Sequence, residues 1–307
     1  MKKKILFSLK SPYREQLDII GFRFGHGKKS AAIVGAMRGN EIQQMYVCSR
    51  MVQELKKLES KGNIADDCEI LVIPCVNSYS MNIGKRFWAM DNTDINRMFP
   101  GYSQGETTQR IADGLFSQIQ GYEYGIQLAS FYQPGNFLPH VKMMDTGFTD
   151  PALMRDFGLQ FGILRKPRPY DTTTLNYNWQ IWETKAFSVY ANATDEIDEN
   201  AADEAVYAIL RFLNQQGIVS VNTPPGYITK IVDEGKTMQV RSEAAGVFRS
   251  RIEIGKRTER GDLLGIITDP LDGELISEIR SPVSGTVYFE YHEPLINANT
   301  VCFKIIK

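Results

Sequence analysis

The chain has 307 residues, of which 43% are hydrophobic and 23% are charged, so it can bury one large core and a second, smaller one. Thirty-five basic residues stand against 36 acidic residues, and this balance excludes the global positive field that sequence-independent nucleic-acid binding requires. No segment approaches the length of a transmembrane helix, and the four scattered cysteines indicate reduced thiols and a cytoplasmic protein.

The first two thirds of the chain alternate between strand and helix patterns. Residues 1–10 predict an edge strand, because their apolar run is too short for a signal peptide. Further apolar runs predict buried strands at 31–37, 69–74, 125–128 and 187–190. Apolar residues at helical spacing predict helices at 42–55, 111–119 and 202–213. This alternation predicts an α/β domain with a mostly parallel sheet flanked by helices, over residues 1–221.

Beyond the Pro- and Gly-containing linker 222–226, helical periodicity disappears, and β-branched residues become frequent. Residues 222–307 are therefore predicted to form an all-β domain. Segment 241–247 (RSEAAGV) is echoed thirty-nine positions later by segment 280–286 (RSPVSGT), which is typical of a duplicated, lipoyl/biotinyl-like β-sandwich. The turn expected between the halves, 268–278, contains no lysine, so a covalently attached swinging arm is not expected.

Segment 94–101 has the sequence DINRMFPG, and it is preceded by Asn77 and by Arg86. It is similar to the D-x-N-R-x-F-P-G pattern of the succinylglutamate desuccinylase/aspartoacylase family. Segment 35–41 (GAMRGNE) stands where that family has G-x-x-H-G-(N/D)-E. With the β tail in its expected place, the resemblance covers nearly the whole chain. It implies a zinc-carboxypeptidase-like α/β domain and a zinc-dependent deacylase ancestry.

The same resemblance indicates that most zinc ligands are missing. In the family, a histidine and a glutamate three residues apart and a later histidine hold the metal, and a fourth position stays open to water. Here Glu41 is retained, but Arg38 and Ala129 replace the two histidines. At the position of the family's general base stands Tyr190, whose phenol is a weak base at neutral pH. No metal or other cofactor is therefore expected.

The residues that bind the substrate in the family are better retained in this sequence than the zinc ligands and the general base. Arg86, Asn96 and Arg97 match the positions that polarise the scissile carbonyl and clamp the substrate carboxylate, and Arg38 adds a third guanidinium. A guanidinium binds a carboxylate through two parallel hydrogen bonds. The sequence thus predicts a positively charged cleft that binds a small carboxylate or a peptide terminus.

Several alternatives remain open at this point. Arg97 could pair structurally with Asp94, and Glu41 could pair with Arg38 instead of a metal. A rebuilt zinc site could use Glu41 with His140 or Asp94. His26 and His292 are predicted to be surface residues, and the aromatic segment 177–182 could either line the entrance of a ligand pocket or pack between the two domains.

Three functions compete on this basis. The first is a degenerate, zinc-less member that binds a carboxylate-bearing ligand. The second is an active metal-dependent hydrolase of N-acyl amino acids or peptide-like amides. The third is a structural subunit with a vestigial pocket. No membrane partner is expected, and a homo-oligomer is left open.

Overall fold

The computed structural model describes residues 1–12, 15–131 and 133–307. The chain forms two compact units. The N-terminal unit comprises Met1–Ser130, Pro139–Ala191 and Asp195–Ile231, and the C-terminal unit comprises Phe131–Leu138, Asn192–Thr194 and Val232–Lys307.

The predicted boundary between residues 221 and 222 lies inside the N-terminal unit. The segment after it still bonds to this unit, because the Tyr227 N–H donates to the Gly158 carbonyl at 2.8 Å and the Lys230 N–H donates to the Gln160 carbonyl at 3.0 Å. The linker composition gave no sign of these backbone hydrogen bonds.

The secondary structure follows the predicted alternation as far as the last long helix. The first nine strands are β1 (Lys2–Leu9), β2 (Leu17–Gly25), β3 (Lys28–Val34), β4 (Cys68–Ile73), β5 (Tyr124–Leu128), β6 (Asn136–Phe137), β7 (His140–Met144), β8 (Phe161–Arg165) and β9 (Lys185–Tyr190). The other nine are β10 (Lys230–Asp233), β11 (Met238–Arg241), β12 (Gly246–Ser250), β13 (Arg257–Thr258), β14 (Leu263–Thr268), β15 (Leu275–Arg280), β16 (Gly285–Glu290), β17 (Leu295–Ile296) and β18 (Val301–Ile306).

The α-helices are α1 (Ile42–Ser60), α2 (Ser78–Met81), α3 (Thr107–Ile119), α4 (Leu175–Ile181) and α5 (Glu199–Gln215). Short 3-10 turns occur at Ile95–Arg97, Pro151–Phe157, Pro169–Asp171 and Glu234–Lys236. None of the helices in the described ranges has the length and hydropathy needed to cross a bilayer.

The large sheet has the strand order β1-β2-β4-β3-β5-β9-β7-β8, continued by β10. The pairs β3–β4, β3–β5, β5–β9 and β7–β8 are parallel, whereas β1–β2, β2–β4 and β7–β9 are antiparallel. The sheet is therefore mixed, and the expected parallel order holds for its central strands but not for β1 and β2. The physical reason is that β1 and β2 follow each other without a crossover helix, which parallel neighbours would require.

Helices cover both faces of this sheet. On β3, Ala31 and Ile33 pack in one core with the apolar side chains of α1 and α5. Ala32 and Val34 pack in a second core with those of α3 and α4. This alternation follows from the period of two along a strand. The central strands β3, β4, β5 and β9 are mutually parallel, so the loops after their carboxyl ends meet at one edge of the sheet.

The C-terminal unit is built from antiparallel strands. One sheet has the order β11-β18-β16-β13, with β6 also paired to β16, and the other has the order β15-β14-β12-β17. Side chains from both sheets share one core, which includes Phe248, Leu264, Val287 and Phe303. The repeated sequence segments join β11 to β12 and β15 to β16, so each one carries the chain from one sheet to the other. The echo in the sequence therefore corresponds to a repeated structural step.

Candidate functional site

The candidate site lies where the loops follow the parallel strands of the N-terminal unit. The loop after β3 carries Arg38, Gly39 and Glu41. A Cβ atom on Gly39 would lie 2.2 Å from the Lys85 carbonyl oxygen, and the Gly39 N–H donates to the Arg86 carbonyl at 2.9 Å. Glycine is thus required at this position, because it lets the loop approach the segment that carries Arg86.

Arg38 is the centre of a buried ion-pair network. Its Nη1 lies 3.0 Å from Oε1 of Glu41, and its Nη2 lies 2.8 Å from Oδ2 of Asp94. Nε also donates to Asp94 at 3.2 Å. The Arg38–Glu41 ion pair predicted from the sequence is confirmed. The bidentate contact with Asp94 was not predicted, since the sequence gave Asp94 only as a partner for Arg97 or as a metal ligand.

Glu41 is fully buried, and both of its carboxylate oxygens accept hydrogen bonds. Oε1 accepts from Arg38 Nη1 and from the Ser130 hydroxyl, and Oε2 accepts from the Arg38 backbone N–H at 3.0 Å. Burial disfavours the charged guanidinium, but the attraction of Glu41 and Asp94 more than offsets this and raises the pKa of Arg38 above its ordinary value. Arg38 is therefore a permanent cation bound by two carboxylates.

Arg86 lies close enough to Arg38, Glu41 and Asp94 for their charges to change its pKa. Burial and the neighbouring charge of Arg38 lower the pKa of Arg86, and Glu41 and Asp94 partly oppose the shift. Arg86 is half-buried. Two cations and two carboxylates are thus gathered here, and their formal charges cancel. The expectation of a strongly positive cleft around three arginines is not supported at this point, because Asp94 was not counted as a partner of Arg38.

Asn96 is connected to a chain of buried amides. Its Oδ1 accepts from Nε2 of Gln127 at 3.2 Å, and Oε1 of Gln127 accepts from Nδ2 of Asn176 at 2.7 Å. Nδ2 of Asn176 also donates to the Ser188 hydroxyl at 2.9 Å. With Oδ1 occupied, Asn96 directs its NH2 group away from Gln127, where it can donate to a ligand. Sequence reasoning missed Gln127 and Asn176, although a polar residue within the apolar run of β5 was a visible signal.

Arg97 points away from the ion-pair network. Its Nη1 donates to the backbone carbonyl of Tyr170 at 2.7 Å, and its guanidinium carbon lies 5.6 Å from the centre of the Tyr170 ring. The alternative in which Arg97 pairs with Asp94 is wrong, because Asp94 is bound to Arg38. Arg97 is exposed, so it remains accessible to a ligand.

The residues at the positions that the resemblance assigns to the second histidine and the general base make other contacts. Ala129 is buried, and its N–H donates to the Val189 carbonyl at 2.9 Å. The Tyr190 ring stacks on the buried His140 ring, with centroids 4.6 Å apart and planes 6° from parallel. His26 and His292 are exposed, as predicted. In the aromatic segment 177–182, Trp179 is fully buried in a core, whereas Trp182 is 48% exposed.

Cys75 belongs to the site, although sequence analysis did not assign it a role there. Burial raises the pKa of the Cys75 thiol to about 12, and the charge of Glu41 adds to the shift. The thiol is thus protonated at neutral pH in these surroundings.

These donors do not fit the zinc ion that the resemblance implies. Zinc requires several N, O or S donors in tetrahedral array. The oxygens of Glu41 are bound to Arg38 and Ser130, and alanine at position 129 offers no side-chain donor. Throughout 1–12, 15–131 and 133–307, no three His, Cys, Asp or Glu side chains are close enough together to hold a metal ion. The rebuilt site with His140 or Asp94 is not assembled in this fold.

Comparison with known proteins shows which family model and which proteins this chain resembles. Residues 27–131 match the model of the succinylglutamate desuccinylase/aspartoacylase catalytic domain, and the matched range contains Arg38, Glu41, Arg86 and the 94–101 motif. An 84-residue stretch is 26% identical to N-alpha-acetyl-L-2,4-diaminobutyric acid deacetylase from Halomonas elongata. The stretch covers 27% of this chain and 23% of the deacetylase, so less than a quarter of that relative is matched.

Solved structures extend the similarity to the whole chain at the level of the fold. A succinylglutamate desuccinylase from Silicibacter sp. TM1040 superposes with a TM-score of 0.82 at 18% identity, over 99% of this chain and 93% of that one. Product-bound ectoine utilization protein EutE (DoeB) from Ruegeria pomeroyi gives a TM-score of 0.78 at 18% identity, over 95% and 89%. The catalytic-domain match supports the resemblance to the succinylglutamate desuccinylase/aspartoacylase family over residues 27–131, and the solved structures show that the fold is shared over nearly the whole chain.

We expect Arg38→Ala to destabilise the protein by about 3 to 5 kcal/mol, because it leaves the buried Glu41 and the partly buried Asp94 without their cation. Chemical denaturation followed by circular dichroism measures the loss. Lys85→Ala is the matched control, since it removes an exposed cation from the neighbouring segment, and it should change stability by less than about 0.5 kcal/mol. An equal effect of the two substitutions would contradict the central role of Arg38.

We also expect Gln127→Leu to cost about 1 to 3 kcal/mol, because it deprives Asn96 and Asn176 of their buried partner. Ser188→Ala should cost less, since Nδ2 of Asn176 keeps its bond to Gln127. The same denaturation experiment compares the two variants. A larger loss for Ser188→Ala would show that the amide chain is not organised around Gln127.

Proposed function

We propose that this chain, whose residues 27–131 match the succinylglutamate desuccinylase/aspartoacylase catalytic domain, is a zinc-less member of that family. In this proposal it binds a carboxylate-bearing small molecule or a peptide terminus and does not hydrolyse it by metal chemistry. The observation that carries the proposal is the guanidinium of Arg38, which binds the retained metal-ligand position Glu41 and neutralises it. In this proposal, the Arg38 side chain supplies the positive charge beside Glu41 that a metal ion would otherwise supply.

The proposed ligand contacts are Arg86, Asn96 and Arg97. Arg38 is only 8% exposed and is saturated by Glu41 and Asp94, so we assign it a structural role instead of a ligand contact. Arg86 and Arg97 supply guanidinium donors, and Asn96 supplies the NH2 group that Gln127 leaves unoccupied. All of these groups are donors. The set is complementary to a carboxylate, which accepts hydrogen bonds through both oxygens.

The C-terminal unit is proposed to be a lipoyl/biotinyl-like β-sandwich that carries no prosthetic arm. Its two antiparallel sheets and its repeated sheet-crossing segments support this proposal. The connection from β14 to β15 contains no lysine to which an arm could be attached. The four cysteines are free, and we propose a cytoplasmic location on that basis.

The first test is metal content together with hydrolysis. We expect substoichiometric zinc after incubation with zinc salt and removal of the excess, and no turnover of N-acyl amino acids above background, because zinc-bound hydroxide supplies most of the rate in this chemistry. Elemental analysis and an amine-release assay measure the two quantities.

The double variant Arg38→His/Ala129→His is the matched control, because it restores two imidazole donors beside Glu41. We expect this variant to bind zinc more tightly than the parent chain. Stoichiometric zinc in the parent, with turnover that a chelator abolishes, would establish the alternative, an active metal-dependent hydrolase.

The second test is carboxylate binding. We expect succinate and N-acetylaspartate to bind with heat changes measurable by calorimetry, and we expect Arg86→Ala to weaken binding by about 1.5 to 3 kcal/mol, as for a charged hydrogen bond. Added salt should weaken binding too. Lys85→Ala tests whether any nearby cation has the same effect, and it should have little influence. If neither acid binds at millimolar concentration, the pocket is vestigial.

A further inference from the structure

The outer face of one sheet in the C-terminal unit carries a row of apolar side chains. In the sheet β15-β14-β12-β17, Val247 on β12 pairs with Leu295 on one side and with Thr268 on the other. Thr268 in turn pairs with Leu275 on β15. We propose that this face is the interface at which a second copy of this chain binds. The dimer is independent of the ligand proposed above.

The alternation of side chains along the strands places this row away from the core. Phe248 and Ile267 pack in the core that the two sheets share. Because successive side chains point to opposite faces of a sheet, Val247 and Thr268 lie on the outer face. A register shift beside Thr268 sets two residues of β15 opposite it, and Ile276 thereby joins the row.

The side chains of this row expose a contiguous apolar surface. Leu295 is 66% exposed, Leu275 is 58% exposed and Ile276 is 45% exposed, and Val247 between them is partly exposed. Single apolar side chains are common on protein surfaces, whereas a contiguous apolar patch marks an interaction site. Association through this row would remove apolar surface from water.

A second row on the same face carries opposite charges on its two sides. Ile266 on β14 pairs with Arg249 on β12 and with Glu278 on β15. Glu278 binds Arg280 through Oε2 alone, at 3.0 and 2.7 Å. Among the residues that the structure describes, no carboxylate pairs with Arg249. The face therefore offers a guanidinium on one side and a carboxylate oxygen on the other.

A two-fold axis along β14 makes this face complementary to itself. Rotation about it places β12 of each copy over β15 of the other, since these strands flank β14. Arg249 of each copy then faces Glu278 of the other, and Val247 likewise faces Leu275. The strands of the two copies stay roughly aligned, as in many pairs of packed sheets. An axis between β14 and β12 would set Arg249 over Ile266, so the charges select the axis along β14.

Sedimentation velocity of the full chain over a concentration series tests the apolar row. We expect Leu275→Glu to raise the dimer dissociation constant about 100-fold, because it places two charges per dimer against apolar side chains. Ile228→Glu is the matched control, since Ile228 is an apolar side chain that is 99% exposed outside this sheet. We expect the control to change the dissociation constant less than about threefold.

Charge reversal tests the two-fold arrangement in the same experiment. We expect Arg249→Glu to weaken dimerisation about 10-fold, because each dimer loses two ion pairs and gains two contacts between like charges. The double variant Arg249→Glu/Glu278→Arg exchanges the two charges, and it should restore the dissociation constant to within about threefold of the parent value. Added salt should reduce the difference between the single variant and the parent.

A parent chain that stays monomeric at about 1 mM, the weak end of specific binding, would exclude a second copy as the partner and overturn the proposed dimer. A dimer that persists unchanged in Leu275→Glu or Arg249→Glu would also overturn it, because the copies would then meet at another surface. Failure of the double reversal to restore dimerisation would overturn the two-fold arrangement along β14. Thermal melting verifies that each variant is folded, and binding of succinate should be the same in all of them.

Discussion

The site depends on one charged interaction, the binding of the Arg38 guanidinium by Glu41 and Asp94. A buried and a partly buried carboxylate in one place repel each other unless a cation lies between them. Arg38 supplies that cation from the protein chain itself. It also joins the loop after β3 to the 94–101 motif, and Glu41 extends the connection to Ser130 after β5. One guanidinium thus fixes three loops at the edge of the sheet, and Arg86 balances the remaining negative charge.

A chain of amides connects the 94–101 motif to the central strands. Gln127, on a central strand, donates to the Asn96 amide oxygen and accepts from Asn176, which also donates to the Ser188 hydroxyl. Buried amides of this kind are stable only when their partners are present. The hydrogen bonds of Gln127 and Asn176 hold the Asn96 side chain in one orientation. In the same way, stacking on His140 gives the Tyr190 ring a packing role at the position of the family's base.

Much of the fold could be predicted because its signals are local. The apolar runs of β3, β4, β5 and β9 and the helical spacing of α1, α3 and α5 were visible in the sequence, since burial imposes these periods on short stretches of chain. The antiparallel directions of β1, β2 and β7 were not visible in the sequence, so the mixed character of the sheet could not be predicted. Nor could composition show that Phe131–Leu138 belongs to the C-terminal unit, because the pairing of β6 with β16 joins residues about 150 positions apart.

The sequence by itself determined which side chains stand where the resemblance places the two zinc-binding histidines. Arginine cannot bind zinc and alanine has no side-chain donor, so neither Arg38 nor Ala129 can act as a zinc ligand whatever the surroundings are. The Arg38–Glu41 ion pair could also be predicted from the sequence, because two residues three positions apart at the start of a helix lie close together. Only the tertiary structure decided the longer contacts, from Arg38 to Asp94 across 56 residues and from Arg97 to Tyr170 across 73. Such pairs depend on the order of strands in the sheet, which local sequence does not encode.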